Sequence, residues 1–191
     1  MRNLAAVAPL ALYALCSLAD LSGAAVLEPE GFRMEEYRAP VPETLAGARV
    51  VSTEEAAELW RERDAIFIDV LPKPIKPALP EGTVWREPVR LDIPGSIWLP
   101  DVGFGALSGD METWFKDNLD AAAGDKAKTV VFYCKADCWM SWNAGKRAVT
   151  WGYTGVVWYP DGTDGWAAAK LPLEERVSIP RPGEGKPAPA N

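Results

Sequence analysis

Cys134 and Cys138 stand with three residues between them in the stretch Tyr133-Cys134-Lys135-Ala136-Asp137-Cys138-Trp139. Two thiols this close can work as a nucleophile and a resolving group, or close a disulfide. At the start of a helix, residues four apart approach to about 6 Å between Cα atoms, inside the roughly 4.4–6.8 Å that a disulfide tolerates. So small a ring restrains little of the chain, which favours a chemical purpose over a structural one. The sequence has no histidine, so a Cys–His catalytic pair is excluded. A thiolate here would depend on loop N–H groups pointing inward and on a helix N-terminus, with Lys135 adding positive charge and Asp137 opposing it. Cys134, first in the loop, is expected to be the nucleophile. Cys138, shielded beside Trp139, is expected to resolve. The alternative is a buried pair of small hydrophobic side chains.

The elements that must position this pair are legible by period and punctuation. Residues 128–133 form an apolar run that leads directly into Cys134, the mark of a strand buried in a parallel sheet. Residues 141–151 read as the following helix, ended by Gly152. Upstream, a short strand at 48–51 precedes Ser52 and Glu55, a capping box for a helix that carries Ala56, Ala57, Leu59 and Trp60 and ends near residue 64. Residues 65–70 are a second buried strand. Five prolines forbid a regular element across 71–92, a loop long enough to suggest function or disorder. Residues 93–100 turn into a short strand, 108–123 form a helix, and 155–159 a last strand. Strands alternating with helices predict an α/β fold with a mostly parallel central sheet flanked by helices on both faces. Residues 25–47 are acidic, contain proline and have no period, so they read as an N-terminal arm. Residues 176–191 are expected to be a mobile C-terminal tail, Pro/Gly-rich from Pro180.

The 191 residues carry a net charge of −7, which argues against a nucleic-acid partner. Met1-Arg2-Asn3, an uncharged apolar stretch over 4–18 and the small residues Ser22-Gly23-Ala24 fit a secretory signal over 1–24. Its apolar part is short for a span of about 20 residues, so no membrane span is expected after cleavage, an uncleaved anchor being the alternative. Cys16 falls inside the signal and follows Leu15, too large for a lipidation site, so it is expected to be lost. The mature chain then keeps Cys134 and Cys138 in an oxidising, periplasmic compartment. Nine tryptophans are many for this length, and Trp139, Trp142, Tyr159 and Trp166 are expected near the mouth. Trp142 belongs to a packing helix, whereas Trp139, in a loop, is expected to be exposed or half exposed. Asp161-Gly162-Thr163-Asp164-Gly165 looks like a piece of a calcium loop but lacks its twelfth-position glutamate and its spacing, so no metal and no cofactor is expected.

The chain resembles the rhodanese family. The residues that carry the resemblance are Ile68-Asp69-Val70, Ile93-Pro94-Gly95-Ser96-Ile97, Val130-Val131-Phe132-Tyr133-Cys134, Gly152-Tyr153 with Val156-Val157, and Gly162 through Trp166. The resemblance implies a rhodanese-like domain over 48–175, with Cys134 as the cysteine that carries transferred sulfur. More narrowly, the chain resembles a small periplasmic group named for a Cys-Xaa-Xaa-Cys-Trp motif and associated with pyrroloquinoline quinone (PQQ)-dependent alcohol catabolism. The residues behind that are Val84-Trp85-Arg86, Pro94-Gly95-Ser96-Ile97-Trp98-Leu99-Pro100, 133–143 and 158–166, although three residues, not two, separate the cysteines here. Family loops usually place glycine three after the cysteine and arginine five after it; here those positions hold Asp137 and Trp139, and Leu71 replaces a further arginine. With Asp161 and Asp164 expected at the same mouth, a thiosulfate dianion is disfavoured.

Two functions follow from the resemblance. One is persulfide or thiol–disulfide chemistry through Cys134 and Cys138, with Lys135, Ala136, Asp137, Trp139, Asp161, Asp164 and Trp166 lining the substrate site. The other is a non-catalytic binding module that assists a periplasmic quinoprotein dehydrogenase or its cytochrome electron carrier.

Overall fold

A computed structural model describes residues 25–185. The expected signal and its Cys16 lie outside the described residues, as do residues 186–191. The central sheet is built from β1 (Arg49–Val50), β2 (Ile66–Asp69), β4 (Ile97–Trp98), β5 (Val130–Tyr133) and β6 (Val156–Tyr159), in the order β1-β6-β5-β2-β4. Every pairing in it is parallel. Four helices connect the strands: α1 (Thr53–Glu62), α2 (Gly109–Ala123), α3 (Trp139–Thr150) and α4 (Gly162–Ala168). The fold is the α/β, mostly parallel arrangement expected.

Strand residues alternate between two cores, as the period of two requires. Ile68, Val130, Phe132 and Val156 pack with Phe115 and Leu119 of α2 and Met140, Ala144 and Ala148 of α3. Phe67, Val131, Tyr133, Val157 and Tyr159 face the other way, onto Ala56 and Ala57 of α1 and Trp166 of α4. Cys134 continues the parity of Phe132 and falls in the α2/α3 core. The capping box of α1 forms as expected from Ser52 and Glu55.

Three departures matter for the site. First, residues 25–47 form a strap across α3. The Nε1 groups of Trp139 and Trp142 donate to the Pro40 and Thr44 carbonyls, both at 3.1 Å, and Asn143 both donates to the Arg33 carbonyl and accepts from its N–H. With the sheet beneath and the strap above, nine of the twelve residues of α3 are buried. Second, the proline-rich stretch contains β3 (Arg90–Asp92), which pairs antiparallel with β7 (Glu174–Arg176). A three-residue strand paired across some eighty residues has no period to read. Third, residues 176–185, expected to belong to a mobile tail, are tied down. Ile179 N–H donates to the Trp98 carbonyl at 3.0 Å, closing the edge of β4, Arg181 pairs with Asp101, and Glu184 pairs with Lys73 at 3.3 Å. Among the described residues no helix is long and apolar enough to cross a membrane.

Candidate functional site

Strand β5 delivers Cys134 to the carboxyl end of the parallel sheet, where such folds place their sites. The loop 134–138 then turns back to start α3, with Asp137 in the left-handed region at φ +50°. Cys134 and Cys138 are joined as a disulfide, their Cα atoms 6.3 Å apart. Both are buried, at 0% and 2% exposure, in the cluster that holds Val70, Leu99, Val102 and Met140. A donor or partner thiol reaches neither sulfur unless the loop or its cover moves.

Two strips of backbone clamp the loop. On one side, the N-terminus of α4 crosses it. Thr163 N–H and Thr163 Oγ donate to the Cys134 carbonyl at 3.0 and 3.3 Å, and Ala136 N–H donates to an Asp164 carboxylate oxygen at 3.2 Å. Gly162 lies so close, at φ +52°, that a Cβ there would fall 2.4 Å from the Cys134 carbonyl oxygen. On the other side lies the strap. Arg38 Nη1 donates to the Ala136 carbonyl at 2.8 Å, Ala39 N–H to the Asp137 carbonyl at 3.1 Å, and Trp139 N–H to the Tyr37 carbonyl at 2.9 Å.

These contacts correct the expected anion cradle. Two of the N–H groups expected to face a sulfur anion are engaged, Ala136 by a carboxylate and Trp139 by the strap. Trp139 is a second correction: it is 2% exposed and opens α3, which starts two residues earlier than its period suggests. The strap supplies the missing cover, with the Arg33 guanidinium 5.1 Å over the indole and Trp142 edge-on at 5.3 Å. Trp166 is a third. It packs on the opposite face of the sheet, edge-on to Trp60 and Phe67, and donates to the Pro172 carbonyl at 2.8 Å. Strand parity explains it, since α4 covers the face of Tyr133, not that of Cys134. Asp137, Asp161 and Asp164 are exposed around the loop, and Lys135 and Ala136 are half-buried. Asp161 accepts from the Thr53 hydroxyl at 3.2 Å.

Behind the loop lies a buried ion cluster that sequence reasoning missed. Asp69, wholly buried at the end of β2, accepts from Arg90 Nε at 2.6 Å and from Leu71 N–H at 2.9 Å. Asp92 Oδ1 lies 3.8 Å from Arg90 Nη2 and accepts from the Tyr133 hydroxyl, while its Oδ2 has no partner among the described residues. Tyr133 also lies 2.7 Å from Ser96 Oγ. Two carboxylates thus share one guanidinium out of water. Burial, then the charge of Asp92, pushes Asp69 up to about 7; burial raises Asp92 as well, and burial holds the Tyr133 phenol well above its ordinary value. Arg90 reaches toward Thr163 Oγ1 at 3.4 Å, so the cluster backs the residue that holds the Cys134 carbonyl. The sequence signal was faint: two charges, Arg90 and Asp92, immediately before Ile93-Pro94-Gly95-Ser96.

A profile of the rhodanese-like domain matches residues 52–169. Among solved structures the chain is similar to an uncharacterized protein from Saccharomyces cerevisiae, with 23% identity over 66% of this chain and 98% of that one and a TM-score of 0.41. It is similar to a polysulfide-sulfur transferase homodimer from Wolinella succinogenes, with 22% identity over 69% of this chain and 81% of that one and a TM-score of 0.44. A thiosulfate sulfurtransferase from Pseudomonas aeruginosa matches with 20% identity over 69% of this chain but 21% of that one, at a TM-score of 0.44. No curated protein sequence matches the chain.

Proposed function

The chain belongs to the rhodanese-like family, and on that premise we propose that it carries out persulfide or thiol–disulfide chemistry through Cys134 and Cys138 in the periplasm. The observation that supports this most is the position of the joined pair, at a strand end and a helix start. In the reduced protein, the Cys134 thiolate attacks the outer sulfur of a sulfane donor. A Cys134 persulfide forms and the remainder of the donor leaves. The Cys138 thiolate then attacks the Cys134 sulfur, which expels hydrosulfide and closes the disulfide. A dithiol reductant returns the pair to two thiols and is itself oxidised. Asp137, Asp161 and Asp164 around the loop, with Leu71 and Trp139 where arginines are usual, argue against thiosulfate as the donor. Association with PQQ-dependent alcohol oxidation, beside a quinoprotein dehydrogenase or its cytochrome, is part of the same proposal; it rests on the likeness to the Cys-Xaa-Xaa-Cys-Trp group.

The test is persulfide trapping on reduced protein supplied with polysulfide. Cys134→Ser should abolish the persulfide, and Cys138→Ser should leave it longer-lived. A persulfide that survives Cys134→Ser and vanishes in Cys138→Ser would reverse the two roles. A second reading, a binding module with an inert clip, is favoured by the burial of both sulfurs. It predicts that both single mutants support normal alcohol oxidation in cells.

A further inference from the structure

We propose that the strap of residues 33–45 is a redox-operated latch, closed over the site by the Cys134–Cys138 disulfide and released when the pair is reduced. This rests on the reading above that the pair is reversibly reduced.

The argument begins with where the strap is bound. Four of its contacts fall on residues 136–139. The Ala136 carbonyl takes Arg38, the Asp137 carbonyl takes Ala39 N–H, and Trp139 N–H reaches the Tyr37 carbonyl. Arg38 and Cys138 face each other as a single antiparallel bridge. These acceptors and donors line up because the ring and the α4 contacts together fix the loop, and within it Asp137 sits at φ +50°, a region that residues with a Cβ seldom adopt. A dithiol supplies two electrons and two protons, the ring opens to two thiols, and the dithiol becomes a disulfide. The tether that holds Asp137 in this conformation is then gone, and the three bonds to the strap lose the fixed geometry they share.

The second part of the argument is access. The sulfurs are 0% and 2% exposed, and Trp139 is buried only because the strap and the Arg33 guanidinium lie on it. The same strap residues bear on Asn143, through two bonds with Arg33. Release therefore uncovers one continuous strip, from the loop along the outer face of α3. The oxidised form is closed; the reduced form frees the loop that carries the thiols and presents an aromatic face.

Linkage makes the idea reciprocal: if the disulfide favours the closed strap, the closed strap favours the disulfide by the same factor. The test is hydrogen exchange on the full chain, oxidised and after dithiothreitol, with thiols counted by maleimide labelling. Reduction should speed exchange at Ala39 and Trp139 by about tenfold or more, leave β2 and β5 unchanged, and open tryptic sites after Arg33 and Arg38. Arg38→Ala, at an exposed residue outside the reacting pair, should make the disulfide about tenfold easier to reduce, equivalent to about 30 mV for a two-electron couple. Two titratable thiols with unchanged exchange would overturn the latch and leave the thiol chemistry standing. A pair that dithiothreitol cannot reduce in the native protein would overturn both. An Arg38→Ala potential equal to that of the parent would overturn the coupling.

Discussion

Tyr133 and Cys134 are consecutive, and strand β5 sends them to opposite faces of the sheet, where each belongs to a different kind of site. On the α2/α3 face lies an uncharged sulfur pair, its loop held from outside by backbone and side-chain bonds to α4 and to the strap. On the α1/α4 face lies a cluster of two carboxylates, a guanidinium and a phenol, held from inside by its own charges. The sulfur pair can lose a covalent bond and leave only neutral groups behind. The ion cluster cannot lose a member without stranding a charge. One strand end therefore combines a part that can change state with a part that must not.

The largest expected effect comes from breaking the ion cluster. Arg90→Ala leaves Asp69 and Asp92 facing each other without a counter-charge and should cost about 3–5 kcal/mol, read from the urea midpoint. Removing both sulfurs with Cys134→Ala and Cys138→Ala should cost about 2 kcal/mol, the chain-entropy value for so short a ring, with the circular dichroism of the fold retained. If the two losses were equal, the contrast between the faces would fail and the disulfide would be holding the core. Trp139→Phe removes the indole bond to Pro40 and should cost about 1 kcal/mol in the same assay, while loosening the strap but not the ion cluster.

A further effect is a pH dependence to which the cluster contributes through Asp69. Folded Asp69, pushed up to about 7, keeps a proton that the unfolded chain, with an ordinary carboxylate, releases at about pH 4. Between those values the folded state binds more protons, so this contribution is full below about pH 4 and is lost as pH rises through about 7. The melting temperature should fall by a few degrees from about pH 5 to about pH 8. Asp92→Asn, which removes the second carboxylate, should flatten that fall. Glu184, held by Arg181 at about 2, titrates well below this window. A profile unchanged by Asp92→Asn would show that the carboxylates do not share a proton.

The same two faces show what a sequence discloses. The parallel sheet and all five of its strands were legible, the longer ones from unbroken apolar runs such as Ile66-Phe67-Ile68 and Val130-Val131-Phe132, and the cysteine pair from its spacing. Strand β3 was not, because its pattern is inverted. Arg90 and Asp92 point inward, Arg90 onto Asp69 and Asp92 onto the Tyr133 hydroxyl, and Leu91 points out, 48% exposed. A rule that sends apolar residues inward misreads such a strand. Trp139 and Trp166 were misplaced for a related reason. Their surroundings are supplied by the strap and by strand parity across the sheet, over separations such as the 99 residues from Pro40 to Trp139. Local spacing carries no record of either.

That separation also bears on how the molecule is assembled. The strap's partners lie 98 to 117 residues further along the chain, on a helix that cannot exist until β5 and β6 have given it a surface. Contacts so distant in sequence bear the entropy of closing a long loop, as does the pairing of β1 with β6 between Arg49 and Val157. Without the strap the loop 134–138 would lose its bonds to residues 37–39, while the two sulfurs would stay packed against Val70, Leu99, Val102 and Met140. The fold thus ties the cover of the loop to a distant part of the chain: a segment that precedes β1 is seated by residues that follow β5.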